Sequence, residues 1–363
     1  MNIAFFGSSL VSSYWNGAAT YYRGLLKALA AQDQRITFYE PDAYDRQRHR
    51  DIPDPDWARV VVYPATNDGW RSALDEALDG ADLIAKASGV GAFDAELESA
   101  IPALAPARTM TVYWDVDAPA TLEAMEADQR HHLRQVIAHY DMVFTYGGGD
   151  PVVRHYLRFG ARGCVPIYNA LDPDTHHPVA REDRFACALG FLGNRLPDRE
   201  SRVEEFFFKP AARLPDLTFL LGGSGWESKR LPANVRPLGH VGTGAHNAFF
   251  CSSAATLNIN RASMARYGFS PPTRIFEAAG AGACIITDAW EGIDEFLTPG
   301  KEILCAAEGD EVADTLCALD EARARRLGQA ARARILSAHT YRHRARQVMD
   351  VLQLATTGKE AAA

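Results

Sequence analysis

Asn2-Ile3-Ala4-Phe5-Phe6-Gly7-Ser8-Ser9 is the stretch on which the fold turns. The run from Asn2 to Phe6, apolar after its first residue, has the length and composition of a strand buried on both faces, which is what a parallel sheet requires. Gly7-Ser8-Ser9 supplies the turn. Beyond it Tyr22, Leu25, Leu26 and Leu29 recur at helical spacing, in a helix predicted to begin near Gly17. Strand, turn and amphipathic helix in that order form a βα unit, and a succession of such units builds an α/β domain.

The pattern repeats outward from this first unit. Further strands are predicted at 60–63, 83–87, 110–114, 142–146 and 165–168, enough for one complete sheet. Asn169 then leads into Ala170-Leu171-Asp172-Pro173-Asp174-Thr175-His176-His177-Pro178, polar and proline-bearing in the manner of an interdomain linker. The alternation restarts with strands at 186–192, 217–221, 256–260, 284–287 and 303–306. The segment 320–354 reads as one nearly unbroken helical pattern rich in Ala and Arg, and the polar tail 356–363 is expected to fray.

A chain of 363 residues exceeds what a single core usually sustains, so two domains are expected. The boundaries fall at 1–172 for an N-terminal Rossmann-like domain and 173–338 for a C-terminal one. A helix and tail over 339–363 are free to pack back on the first domain. Ligands of such sheets bind where strands end and helices begin, which directs attention to a central cleft between the two domains.

Charge and cysteine usage narrow the partners. A formal net charge of −8 provides no global positive field for nucleic acid or anionic lipid, so any anionic ligand must be met locally. The six cysteines lie apart with no Cys-x-x-Cys pair, and Cys284 stands in an apolar run, as expected of reduced, buried thiols. No run of about 18 apolar residues is present, and the first residues do not read as a signal peptide. The expected location is the cytoplasm.

The most informative chemistry lies between Arg266 and Asp288. Ser270-Pro271-Pro272-Thr273 should open a helix whose free backbone donors and dipole favour a phosphate. Arg274 adds a charged fork in its first turn. Glu277, one turn on, is placed to accept hydrogen bonds from sugar hydroxyls. In the first half, Tyr113-Trp114-Asp115-Val116-Asp117 sets two carboxylates just after a strand, where either could act as general base on a hydroxyl or cap a helix. Gly147-Gly148-Gly149 reads as an ordinary turn. His131-His132 and His176-His177 read as solvated pairs, since neither has a Cys or carboxylate at ligand spacing. The arginines between Arg323 and Arg346 read as a solvated helix face.

These landmarks, taken in order, resemble those of GT-B glycosyltransferases, in particular the "glycosyl transferases group 1" relatives that include CgeB-like proteins. Phe276-Glu277-Ala278-Ala279-Gly280 resembles the donor-site helix, and Asn169-Ala170-Leu171-Asp172 resembles the Asn-Gly-Val-Asp that closes the first domain. Phe191-Leu192-Gly193-Asn194-Arg195 is similar to the first strand and turn of the donor domain, with Arg195 as the diphosphate arginine and Arg199 in reserve. Phe219 to Trp226, including Gly223, looks like the following strand and glycine turn, and Gly239-His240-Val241 like the segment beside the nucleobase. Gly17 resembles the glycine of the first loop.

The resemblance implies a two-domain GT-B fold and transfer of a sugar from a nucleoside diphosphate sugar to a hydroxyl acceptor. It further implies retention, with no metal and no cofactor beyond the donor. One departure stands out: the commonest retaining members carry a second Glu eight positions before the one matched by Glu277, and here that position is Phe269. Asn260 and Arg261, after a buried strand, are candidates to hold the donor in its place. A nucleotide-sugar epimerase and a catalytically silent nucleotide- or glycan-binding protein on the same fold remain alternatives. Peripheral membrane contact also stays open.

Overall fold

The computed structural model describes residues 1–14 and 16–362, the last seven of these by backbone alone. The chain divides into two compact units, one formed by Met1–Tyr168 with the C-terminal helix Tyr341–Ala362, the other by Asn169–Thr340. The predicted fraying of the tail 356–363 concerns residues outside those whose side chains are described. Among the described residues no helix is long and apolar enough to cross a membrane.

The first unit is built on seven strands: β1 Asn2–Phe6, β2 Arg35–Asp42, β3 Ala58–Pro64, β4 Leu83–Ala87, β5 Met110–Asp115, β6 Met142–Thr145 and β7 Cys164–Pro166. They pair in the order β3-β2-β1-β4-β5-β6-β7, every pair parallel. The order reverses between β1 and β4. β1 lies third, between β2 and β4, and its Phe5 stacks on Phe38 with centroids 5.5 Å apart, while Trp114 of β5 meets Phe144 of β6 edge-on at 4.8 Å. The buried Trp114 donates its Nε1–H to the Tyr21 hydroxyl (3.0 Å), which donates in turn to the Ile167 carbonyl (2.7 Å), so burial leaves these polar atoms paired.

The second unit carries β8 Cys187–Leu192, β9 Phe219–Gly222, β10 Val235–Gly239, β11 Ser253–Asn258, β12 Ile285–Asp288 and β13 Leu304–Ala306. Their order is β10-β9-β8-β11-β12-β13, again all parallel, with the reversal between β8 and β11. Its core gathers Leu189, Phe191, Phe207, Phe219, Leu221, Leu257 and Ile286, all at most 1% exposed.

The structure departs from the sequence reading in three places. β2 is absent from the predicted strands; it is buried despite Glu40 and Pro41, because Glu40 finds donors inside the unit. β10, read only as a segment beside a base, is an edge strand. The single helix expected over 320–354 is two helices, Glu321–Ala338 and Tyr341–Ala362. The chain leaves the helix at His339, whose carbonyl accepts from Leu171 N–H (2.9 Å), and Thr340 bridges Leu171. The expected linker is correspondingly anchored on the second unit: Leu171 is fully buried, and a Cβ on Gly280 would stand 2.4 Å from its side chain.

Candidate functional site

In the second unit the crevice at the strand-order reversal lies at the carboxyl ends of β8 and β11, the position where open α/β sheets take ligands. β8 opens into Gly193-Asn194-Arg195, and this turn is locked to the turn after β9. Gly193 N–H donates to the Gly222 carbonyl (2.8 Å), Trp226 Nε1–H to the Gly193 carbonyl (2.8 Å), and Ser224 N–H to Asn194 Oδ1 (2.9 Å). Gly223 has φ +127°, and a Cβ there would lie 2.2 Å from the Gly193 oxygen, so only glycine allows the two backbones to meet.

Two arginines lean over Phe191 on this floor. Arg199, on the helix Pro197–Val203, is 9% exposed, with its guanidinium 5.6 Å from the Phe191 centroid. Its Nη2 donates to the Asn194 carbonyl (2.5 Å), while its buried Nε has no partner among the described residues. Arg274, in the first turn of the helix Thr273–Gly280, sits 5.2 Å from the same ring and donates to Asn258 Oδ1 (3.1 Å) and the Leu192 carbonyl. Neither forms a salt bridge with a described carboxylate. Burial lowers the pKa of both. For Arg274 burial and then the charge of Arg199 push it down to about 9. An arginine seldom gives up its proton, so we read that shift as the strain of two cations lacking an anion rather than as deprotonation. The helix behind Arg274 starts at Thr273 without a side-chain cap, leaving first-turn donors for the same anion.

Other predicted donor residues are placed differently. Arg195, the first choice for the diphosphate, is held by both oxygens of Glu200 at 2.8 Å each and donates to Ser228 (3.2 Å). Lys229 shares Glu200, whose carboxyl is drawn down to about 2 by hydrogen bonds from Arg195 and then Lys229. The charge of Arg195 is therefore compensated locally, and Arg199, the reserve, is the arginine without a carboxylate. Arg261 pairs with Asp198 (2.6 Å). Asn260 is fully buried, donating its backbone N–H to Asp288 (3.1 and 3.2 Å) and its amide to the Ser270 carbonyl (3.4 Å). Ser270 donates to the Gly268 carbonyl (2.8 Å). Asn260 and Ser270 thus brace the segment ahead of the Arg274 helix. Phe269 adopts φ +46°, its ring filling the space beside Gly292, which explains how an apolar residue occupies this position.

Glu277 lies one turn beyond Arg274, with Oε1 4.0 Å from His176 Nε2. His246 completes the group, the three ligand atoms lying within 4.8 Å of one another. His176 is 3% exposed, which corrects its reading as half of a solvated pair: the backbone after Asp172 turns it inward. His240 is exposed, while the neighbouring Val241 carbonyl receives Nε2–H of His246 (3.2 Å). Sequence reading missed His246, since a lone His in Gly242-Thr243-Gly244-Ala245-His246 carries no spacing signal.

In the first unit Asp115 ends β5 wholly buried, accepting from Ser88 Oγ (2.8 Å), Asp117 N–H (2.9 Å), Thr121 Oγ1 (3.1 Å) and the Tyr156 hydroxyl. Burial outweighs these bonds and raises its carboxyl above the usual range. Saturated by donors and out of solvent, Asp115 anchors the loop instead of meeting an acceptor. Asp117 sits half-buried at the start of the helix Ala118–Ala127. Gly17 is exposed ahead of the helix Ala19–Ala30, and a Cβ there would meet nothing within 4 Å.

Two parallel Rossmann-like sheets, with strand order reversing beside the first strand of each, define the GT-B fold. Residues 199–350 match the family described as "Glycosyl transferase-like". Sucrose-phosphate synthase from Thermosynechococcus elongatus superposes with a TM-score of 0.72 at 14% identity, covering 99% of this chain and 100% of that one. HepE of Anabaena, in complex with UDP-glucose, gives 0.68 at 15% identity over 97% and 99% of the two chains. An α-glucosyltransferase in complex with UDP-glucose and DNA containing an abasic site gives 0.70 at 10% identity over 97% and 99%. No curated protein matches in sequence.

Proposed function

We propose that the protein transfers a hexosyl group from a nucleoside diphosphate sugar to a hydroxyl acceptor, with retention and without a metal on the diphosphate. The observation that carries this reading is the pair Arg199 and Arg274 over Phe191, a buried and a half-buried cation without a carboxylate beside an uncapped helix start. In the reaction the bond from the anomeric carbon to the diphosphate breaks, the diphosphate leaves with the electron pair, and the acceptor oxygen bonds the same face while its hydroxyl proton passes to the departing phosphate oxygen. Charge grows on the leaving group, and fixed donors aimed at it stabilise that charge most. Arg199, Arg274 and the helix supply those donors. Glu277 accepts from the ribose hydroxyls, Gly193, Asn194 and Gly223 form the floor, and Asp117, half-buried at a helix start, is the carboxylate of the first unit that meets an acceptor hydroxyl. The UDP-glucose in the HepE and α-glucosyltransferase complexes, together with the family match over 199–350, supports the same donor class.

The test is calorimetric binding of UDP, GDP, ADP, CMP and dTDP in EDTA to wild type and to Glu277→Ala, followed by incubation with the matching sugar donor and candidate acceptors. One nucleoside diphosphate should bind wild type and bind the variant roughly tenfold or more weakly, as loss of a charged hydrogen-bond acceptor predicts. If none binds, the donor reading fails. If one binds but the sugar is inverted in place with no transfer, the epimerase reading replaces it.

A further inference from the structure

Hydrogen-bond bookkeeping around Glu277 leaves three acceptors facing one another with no donor between them. With the Thr175 hydroxyl proton on the Asp172 carbonyl (3.0 Å), the Thr175 oxygen accepts from His176 Nδ1 (3.0 Å), and we assign the ring proton to Nδ1 on that basis. His176 Nε2 then carries a lone pair, buried and without a partner among the described residues. The Val241 carbonyl can only accept, so His246 Nε2 is the protonated nitrogen of that ring and Nδ1 presents the lone pair, likewise buried and unpartnered. The third acceptor is the Glu277 carboxylate, 4.0 Å from His176 Nε2. Three lone-pair donors converge within 4.8 Å from three separate elements.

We propose that His176 Nε2, His246 Nδ1 and Glu277 bind a divalent transition-metal ion of the zinc class, with a fourth position open. Two neutral imidazoles and one carboxylate are a recurring donor set for zinc, whose tetrahedral sites take nitrogen and oxygen at about 2.0–2.2 Å. Tetrahedral ligands at that distance stand roughly 3.4 Å apart, so the side chains close inward around the ion from their present separations of up to 4.8 Å. Each imidazole already has the outer hydrogen bond that fixes its tautomer, from Thr175 on one side and the Val241 carbonyl on the other, as metal-bound histidines do. A single proton shared with Glu277 would satisfy one lone pair and leave the other orphaned in a buried place. The inference does not rest on the donor reading, because it requires no nucleotide. A carboxylate bound through one oxygen keeps the other for a sugar hydroxyl, and the ion is not placed on the diphosphate.

The experiment uses untagged full-length protein stripped with EDTA and dialysed, titrated with Co2+ and then Zn2+. One Co2+ per chain should bind with the intense visible absorption of a tetrahedral site, and one Zn2+ should displace it. His176→Ala combined with His246→Ala should abolish the absorption. Thr175→Val, which removes only the outer hydrogen bond, should weaken binding about 10- to 100-fold while leaving the fold measurable by circular dichroism. Absence of stoichiometric Co2+ binding to wild type overturns the site, as does unchanged binding in a folded double variant or in Thr175→Val.

Discussion

The carboxyl ends of the two sheets differ in how their buried ions are matched. In the first unit the buried carboxylates and Lys86 are matched within the chain, while the buried Arg46 hydrogen-bonds only the Ser8 (3.0 Å) and Val90 (3.1 Å) carbonyls among the described residues. Asp115 has four donors, and Glu40 accepts from Ser9 Oγ (2.9 Å), Leu10 N–H (2.6 Å) and Gln47 Nε2 (2.5 Å). Lys86, fully buried, meets Asp94 (2.6 Å) and Glu98 (3.3 Å). In the second unit Arg199 and Arg274 have no carboxylate within salt-bridge distance among the described residues, and His176 and His246 each keep an unmatched nitrogen. A charge that is compensated internally holds the fold. One left uncompensated in a buried crevice points to a ligand that is not part of the chain.

This contrast is open to direct attack. Lys86→Met should cost about 3–5 kcal/mol of unfolding free energy, because it takes the cation from the buried Glu98 and the half-buried Asp94; urea melts measure it, and a loss under about 1 kcal/mol would mean the first unit's ends are not self-compensated. Arg274→Leu should weaken nucleoside diphosphate binding about 10- to 100-fold, the worth of a charge-assisted bond. It should unfold at a urea concentration close to that of wild type. Destabilisation matching that of Lys86→Met would instead make Arg274 a structural residue.

A smaller effect is expected from pH. Burial raises the folded-state carboxyl of Asp115, so the folded chain holds that proton more tightly than the unfolded one. Its contribution is complete below the unfolded carboxylate range and is lost as pH rises through the folded value. Asp115→Asn should flatten that part of the stability profile in melts taken from the acid side to neutrality; an unchanged slope would show the shift to be absent. Smallest of all, Gly17→Ala should move stability by less than about 0.5 kcal/mol, since the added methyl meets nothing. A fall in turnover at unchanged stability would show that a substrate occupies that space.

Much of the architecture is legible in the residues alone, because buried parallel strands appear as apolar runs and their ends as glycine turns. β1 and β4 have the bounds expected of them, and most other strands match to within a residue or three. β2 escapes because Glu40 and Pro41 make it look like a loop, and its acid is neutralised only by groups from distant positions. The break at His339–Thr340 has no Gly or Pro to announce it; it follows from a bridge to Leu171, 169 positions earlier. At the candidate site, sequence order points to the helix Thr273–Gly280 and the turn after β8 and ranks Arg195 over Arg199. Spacing cannot reveal that Glu200 holds one arginine and Phe191 supports the other. His246 is invisible for a similar reason, since its partners come from two other elements.

The last helix belongs to the first unit: its Tyr341 ring occupies the space a Cβ on Gly24 would need, and Gln347 Nε2 donates to the Pro166 carbonyl (3.1 Å). The second unit is thus an insertion within the first, and the two are completed in an unexpected order during synthesis. As the chain leaves the ribosome, residues 1–168 emerge first yet wait for their closing helix until 169–340 have already been made. The domain begun first is the one finished last, and a ribosome stalled near residue 340 would release a complete second unit attached to an unfinished first one.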